Sequence, residues 1–209
     1  MAKLSAHSTY VRIVGEVAIA WNRLERRLDS LIFHYFTVDA HVAGFVLGEM
    51  RNATKAEFAK FLIERFEENP LLREHGLYFA NLVNRIRENR NILEHAQPWT
   101  YADRYQGLVF KADKRGFEVE YHAPMQQLKL LLKTMQDAAP YARWVTFCLH
   151  MEAGKTFDGI NGGPTTAEAA LRVLASLDIP QTPDKIEPLR LLKARKDARD
   201  RRQPSRTKR

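Results

Sequence analysis

Residues 84–96 of the chain read Asn-Arg-Ile-Arg-Glu-Asn-Arg-Asn-Ile-Leu-Glu-His-Ala, a pattern typical of the last turns of a long helix. At about 100° per residue, the apolar side chains of this helix share one sector of about 100°, the width of a buried stripe. The members of this stripe are Phe79, Leu82, Val83, Ile86 and Leu93. Arg90 falls in the middle of the same sector, where leucine or isoleucine would be expected. Because burying an unpaired guanidinium is costly, the pattern predicts that Arg90 either forms an ion pair or meets an anion.

Two polar residues that follow Arg90 raise a second question about this helix. Asn91 and His95 are four residues apart and therefore share a face. Arg90 and His95 are five residues apart, which places them about 140° from each other around an ideal helix. They can converge only if the helix unwinds near His95 or if a second copy of the chain completes the site. Pro98 predicts that the helix ends by Gln97, because the residue before a proline avoids helical geometry.

The order Arg90-Asn91, three further residues and His95 resembles the Arg-Asn-x-x-x-His form of the Arg-x4-6-His motif of HEPN-domain proteins. The resemblance covers residues 6–152 and depends on these three positions and on the helical character of the chain. It implies a mainly α fold, an antiparallel helical bundle, and metal-independent endoribonuclease activity in a homodimer whose two motifs face each other. It also implies an RNA substrate, no cofactor, and a role in toxin–antitoxin systems or defence, with an inhibitory protein partner.

The resemblance also implies a role for each motif residue. His95 would act as the acid or base, because histidine side chains exchange protons near neutral pH. Arg90 would contact the phosphate and stabilise the transition state through its planar fork of donors, and Asn91 would orient the site or donate to phosphate. The reaction would leave 2′,3′-cyclic phosphate ends. Glu94 at i+4, and Glu25 on the apolar stripe of the first helix, are candidate ion-pair partners of Arg90 in a second layer of the site.

A structural interpretation of the same residues stays open. A histidine near a helix C-terminus is usually a surface residue that the helix dipole stabilises. An arginine on an apolar stripe often forms a structural ion pair, here with Glu94 or Glu25. The chain would then be a non-catalytic HEPN-like module for binding or dimerisation, in which Arg90 and His95 hold the interface.

Composition excludes several other classes of protein. The chain has 209 residues, of which 45% are hydrophobic, enough for a domain with a real core. No apolar run approaches the roughly 20 residues that span a bilayer, and the first residues lack the apolar region of a signal peptide. Cys148 is the only cysteine, which excludes an internal disulfide and a thiolate metal cluster. The histidines show no metal-ligand spacing. We therefore expect a cytoplasmic protein without membrane contact, metal or cofactor.

The net charge of +8 is confined to the end of the chain. Residues 185–209 hold 11 Lys and Arg against 3 Asp and Glu, whereas residues 1–184 hold 22 of each. We expect residues 185–209 to form a disordered basic tail that binds RNA or another acidic partner electrostatically. Candidate residues for positioning nucleic acid are Arg85, Arg87, Lys193, Arg195, Lys196, Arg199, Arg201 and Arg202. If the tail alone carries the function, the chain would be a nucleic-acid-binding regulator instead of a nuclease.

Apolar periodicity predicts a series of helices along the chain. The predicted helices cover residues 6–36, 40–50, 54–67, about 70–95, about 125–152 and 165–177. The predicted N-caps are Asp39, Thr54 and Thr165. Pro140 should kink or split the long helix that contains it. In the third helix, the side chains predicted to face inward are Phe58, Phe61, Leu62 and Phe66.

A change of period between the fourth and fifth long helices predicts strands. Apolar residues alternate with polar ones before and after the turn-forming residues 113–116, which indicates a β-hairpin over about residues 105–122. The predicted organisation is therefore a mainly α, HEPN-like helical domain over residues 1–152 with this inserted hairpin. A loop and a short helix follow over residues 153–184, and the basic tail ends the chain.

Overall fold

The apolar periodicity of the sequence is expressed as long helices that each bury one face. The computed structural model describes residues 5–36, 39–101, 104–112, 118–154 and 164–192. The helices are α1 (Ala6–Tyr35), α2 (Ala40–Glu49), α3 (Asn52–Phe66), α4 (Pro70–His95), α5 (Met125–Glu152) and α6 (Ala167–Ser176). The strands are β1 (Ala96–Tyr101), β2 (Arg104–Ala112), β3 (Glu118–His122) and β4 (Pro188–Leu192). The predicted mainly α class is thus confirmed.

The helix starts agree only in part with the predicted N-caps. Asp39 caps α2 as predicted, by accepting a hydrogen bond of 2.8 Å from the backbone amide two residues further on. Thr54 is not a cap, because α3 already begins at Asn52. At α6 the cap is Thr166 and not Thr165. Apolar periodicity fixes the face of a helix but not its first residue, which explains these shifts.

Two predictions about the interior of helices are answered in part. Pro140 was predicted to kink or split α5, and the split is excluded, because α5 runs from Met125 to Glu152 as one helix. Of the α3 residues predicted to face inward, Leu62 is buried. Phe61 and Phe66 are each 57% exposed and do not face inward. The buried face of α3 is rotated away from them, since its buried residues are Lys55, Ala56, Ala59, Leu62 and Ile63.

The four strands form one antiparallel sheet in the order β1-β2-β3-β4. The predicted hairpin is confirmed by the pairing of β2 with β3, in which Leu108 lies opposite His122 and Phe110 opposite Glu120. Its turn, residues 113–117, lies outside the described residues. The prediction that disorder begins at residue 185 is wrong for residues 188–192, because this short apolar stretch pairs with β3 as β4. Residues 193–209 lie outside the described part of the chain.

The chain divides into two compact units. The sheet unit comprises residues 1–15, 89–129 and 184–209, and the helical unit comprises residues 16–88 and 130–183. The sheet unit contains all four strands and the last turns of α4, including Arg90, Asn91 and His95. None of the helices among the described residues combines the length and the apolar composition that crossing a bilayer requires.

Candidate active site at the end of helix α4

Helix α4 stays helical to His95, and β1 begins at the next residue. The predicted end before Pro98 is confirmed, and Pro98 itself lies in β1, an edge strand, where a proline is tolerated. Because the helix does not unwind before His95, Arg90 and His95 stay about 140° apart around its axis. One of the two routes by which these side chains could converge is therefore closed within a single chain.

Arg90 forms an ion pair with Glu94 one turn further along α4. Its guanidinium lies 2.5 Å from the Glu94 carboxylate, and the side chains of the two residues are 25% and 22% exposed. The five apolar residues that define the stripe around Arg90 are all buried, as the periodicity predicts. The cost of placing a charge there is offset by a carboxylate of the same helix.

Glu25, the other candidate partner of Arg90, has a different partner in the helical unit. Its carboxylate accepts a hydrogen bond of 3.2 Å from the ammonium group of Lys55, which also lies 3.0 Å from Asp29. Lys55 is 4% exposed. Burial alone would lower the pKa of Lys55, but its hydrogen bonds and charge interactions with Asp29 and Glu25 outweigh burial and raise it. Glu25 therefore stabilises a buried lysine, and Glu94 is the member of the predicted second layer that meets Arg90.

The two remaining motif residues are accessible from solvent to different degrees. Asn91 is half-buried, whereas His95 is exposed at the last position of the helix. An exposed imidazole at a helix end can meet a substrate or a second protein chain without any opening of the fold.

Asn89 is a buried polar residue that the sequence analysis overlooked. It is 1% exposed, and its side-chain amide donates a hydrogen bond of 2.8 Å to the backbone oxygen of Asp184. Its side-chain oxygen accepts one of 2.9 Å from the backbone amide of Ile186. Asn89, the residue that precedes Arg90, thereby holds the segment that leads into β4 against helix α4. The available signal was its position seven residues after Leu82, on the flank of the apolar stripe.

Arg85 and Arg87, predicted to position nucleic acid, belong to the helical unit. Arg87 donates a hydrogen bond of 3.0 Å to the side-chain oxygen of Asn84, and the guanidinium of Arg85 lies 3.8 Å from Glu88. Arg85 helps to line a polar cleft of about 300 Å³. The other residues of this cleft are Tyr78, Asn81, Asn84, Glu88 and Thr182. The predicted contacts of the tail, residues 193–202, lie outside the described residues.

The described residues favour neither a reactive thiol nor a metal site. Cys148 is buried, and its thiol donates to the backbone oxygen of Ala170 at 3.4 Å. Burial, with a smaller contribution from the charge of Glu152, raises the pKa of Cys148 to about 12, so its thiol stays protonated at neutral pH. Among the described residues, no cluster of three or more histidine, cysteine, aspartate or glutamate side chains could hold a metal ion.

Comparison with protein-family models, with curated proteins and with solved structures finds no match for the chain. A function must therefore be inferred from the residues and their geometry.

Proposed function

We propose that the chain is a HEPN-like, metal-independent endoribonuclease that acts as a homodimer. The observation that supports this proposal is the placement of Arg90, Asn91 and His95 on the last turns of α4, which stays helical to His95. Arg90 and His95 of one chain lie on different sides of this helix, so a second chain would supply the complementary set. A toxin or defence role in the cytoplasm, checked by an inhibitory protein, belongs to the same proposal through the HEPN resemblance.

The chemistry of metal-free RNA cleavage explains why two chains would be needed. The 2′-hydroxyl oxygen attacks the adjacent phosphorus while a base removes its proton. The bond from phosphorus to the 5′-oxygen then breaks while an acid donates a proton to that oxygen. The products are a 2′,3′-cyclic phosphate and a 5′-hydroxyl. Each chain offers one His95, and a two-fold axis would bring two together, one as base and one as acid.

Arg90 would stabilise the negative charge that develops on the phosphate. A guanidinium carries five N–H donors in a planar fork, so the ion pair with Glu94 is compatible with a further contact to a phosphate oxygen. In this arrangement Glu94 orients Arg90. Asn91 would donate a hydrogen bond to the phosphate or fix the position of the substrate.

The second candidate function is a non-catalytic HEPN-like module for binding or dimerisation. The observation that favours it is the same ion pair at 2.5 Å, because Glu94 already matches the charge of Arg90 within one chain. In this case Arg90 and His95 contribute to an interface and no RNA is cleaved.

The deciding experiment is cleavage of end-labelled RNA in excess EDTA. The wild type should cut and leave 2′,3′-cyclic ends, whereas His95→Ala should be slower by about 100-fold or more, the range that general acid–base catalysis contributes. The matched control is His41→Ala, which removes another exposed histidine from a helix and should cut normally. If the wild type cuts neither single-stranded nor structured RNA while remaining folded and dimeric, the module is favoured. Equal cutting by wild type and His95→Ala would mean that the site lies elsewhere.

A mixing experiment tests whether two chains share the site. Wild type and His95→Ala are combined in equal amounts, at constant total protein, and their subunits are allowed to exchange. If both copies of His95 are needed, only wild-type dimers cut, and activity falls to about one quarter of the wild-type value. A fall to about one half would show that each site needs only one copy of His95.

A further inference from the structure

Four arginines from two helices line one open cleft in the helical unit. Arg23, Arg26 and Arg27 lie at i, i+3 and i+4 on α1 and therefore share a face. Arg143 on α5 completes the set, and the cleft has a volume of about 480 Å³. The remaining lining consists of Ser30, Ala139 and Pro140. We call this feature the arginine cleft.

No carboxylate of the described residues forms an ion pair with these four guanidinium groups. The acidic residues near them in sequence are held by lysines instead. Glu25 and Asp29 of α1 both contact Lys55, and Asp137 of α5 lies 2.6 Å from Lys133. The cleft thus concentrates positive charge that the described part of the chain does not neutralise.

The crowding of these cations disfavours their charged forms. Arg27 and Arg143 are both half-buried. Burial and the like charge of Arg143 lower the pKa of Arg27. Since like charges repel more strongly in a partly desolvated cleft than in water, the arrangement is stabilised when an anion enters.

The lining indicates which anion fits. A guanidinium presents two parallel donors that match the oxygens of one phosphate. Among the described lining residues there is no aromatic ring, amide or carboxylate that could recognise a base or a sugar. Ser30 is the one hydroxyl, and it donates to the backbone oxygen of Arg26 at 2.8 Å. The lining therefore offers several guanidinium donors for phosphate groups and, among the described residues, no aromatic ring or amide to select a base.

We propose that the arginine cleft binds two or more consecutive phosphate groups, independently of base identity. Such a chain of phosphates occurs in a nucleoside triphosphate and, as successive phosphodiesters, in a single-stranded RNA. This inference does not depend on the proposed nuclease reaction, because none of its residues belongs to the motif at the end of α4.

The test is calorimetric titration of the full chain at low salt with three probes: inorganic tripolyphosphate, ATP and a short single-stranded RNA. The double variant Arg27→Gln/Arg143→Gln should weaken the binding of these probes by about 10- to 100-fold, because each substitution removes charge-assisted hydrogen bonds to phosphate. The control, Arg65→Gln/Arg172→Gln, removes the same charge from the exposed surface of the helical unit and should bind like wild type. The basic tail is present in every protein compared, so it cannot cause a difference between them.

The three probes distinguish the sources of phosphate. If the double variant weakens the binding of tripolyphosphate and ATP, the site is assigned to free polyphosphates. If it weakens the binding of RNA alone, the site is assigned to an RNA strand. Equal weakening by cleft and control variants, or no binding of any probe by the wild type, overturns the proposal. As a check on folding, tripolyphosphate should raise the melting temperature of the wild type. It should raise the melting temperature of Arg23→Gln by a smaller amount. His95→Ala should bind all probes normally, so failure of the nuclease proposal would leave this result intact.

Discussion

Replacing Asn89 by alanine should destabilise the sheet unit, because two backbone groups of the segment before β4 lose their partner. The Ile186 amide is buried and would be left without its hydrogen bond, at a cost of about 1–3 kcal/mol. Asp184 is exposed, so water can replace part of the second bond, and its loss adds about 0.5–1 kcal/mol. The better helix propensity of alanine returns about 0.5 kcal/mol. The net expected loss is about 1–3.5 kcal/mol in the free energy of unfolding.

The assay is urea unfolding followed by far-ultraviolet circular dichroism, with hydrogen exchange of residues 184–192 as a local readout. The matched control is Asn81→Ala, which makes the same substitution at an exposed position of the same helix and should change stability by less than about 0.5 kcal/mol. Exchange of the Ile186 amide should accelerate in Asn89→Ala and not in the control. If the two variants unfold at the same urea concentration and protect residues 184–192 equally, Asn89 does not anchor this segment.

Three further predictions concern other buried or constrained residues. Burial lowers the pKa of His75, so the unfolded chain binds its proton more tightly than the folded one. Stability should therefore fall as the pH drops below the ordinary histidine value of 6.5, and urea midpoints at several pH values should depend less on pH in His75→Gln. Gly107 has φ +79°, and an added Cβ would lie 3.3 Å from a backbone carbon. Gly107→Ala should cost about 1–2 kcal/mol more in thermal unfolding than Gly154→Ala, which has φ +65° and open space. Lys55→Met should cost about 3–5 kcal/mol in urea unfolding because it leaves two carboxylates facing each other, whereas Lys60→Met should cost under about 1 kcal/mol.

The helices were predictable because their signal is local. Each long helix carries its apolar residues at helical spacing, and Pro70 and Pro98 mark the two ends of α4 in the sequence itself. Boundaries were less accurate where two residues of the same chemistry are adjacent, as with Thr165 and Thr166. Phe61 and Phe66 of α3 were wrongly predicted to face inward because phenylalanine outweighs alanine on a hydrophobic scale, yet two alanines share the buried side of the helix with Leu62.

The sheet was predictable only where its strands are neighbours in sequence. The β2–β3 hairpin shows alternation around a turn, which is a local pattern. By contrast, β4 pairs with β3 across more than sixty residues, and its few leucines lie at the start of a strongly basic segment. Averaging charge over residues 185–209 hid this strand, because non-local pairing leaves no mark on composition.

The same averaging concealed the arginine cleft. Residues 1–184 carry no net charge, which indicates that their surface has no excess of basic groups. Net charge does not describe pairing, however. Glu25, Asp29 and Asp137 are matched to lysines, whereas the four arginines of the cleft are not matched to a carboxylate of the described residues. Arg143 lies more than a hundred residues after Arg27 in sequence, so only the fold brings them together. The capacity of a neutral protein to bind phosphate therefore depends on which of its charges are already paired, and the basic tail need not be the main anion-binding part of this chain.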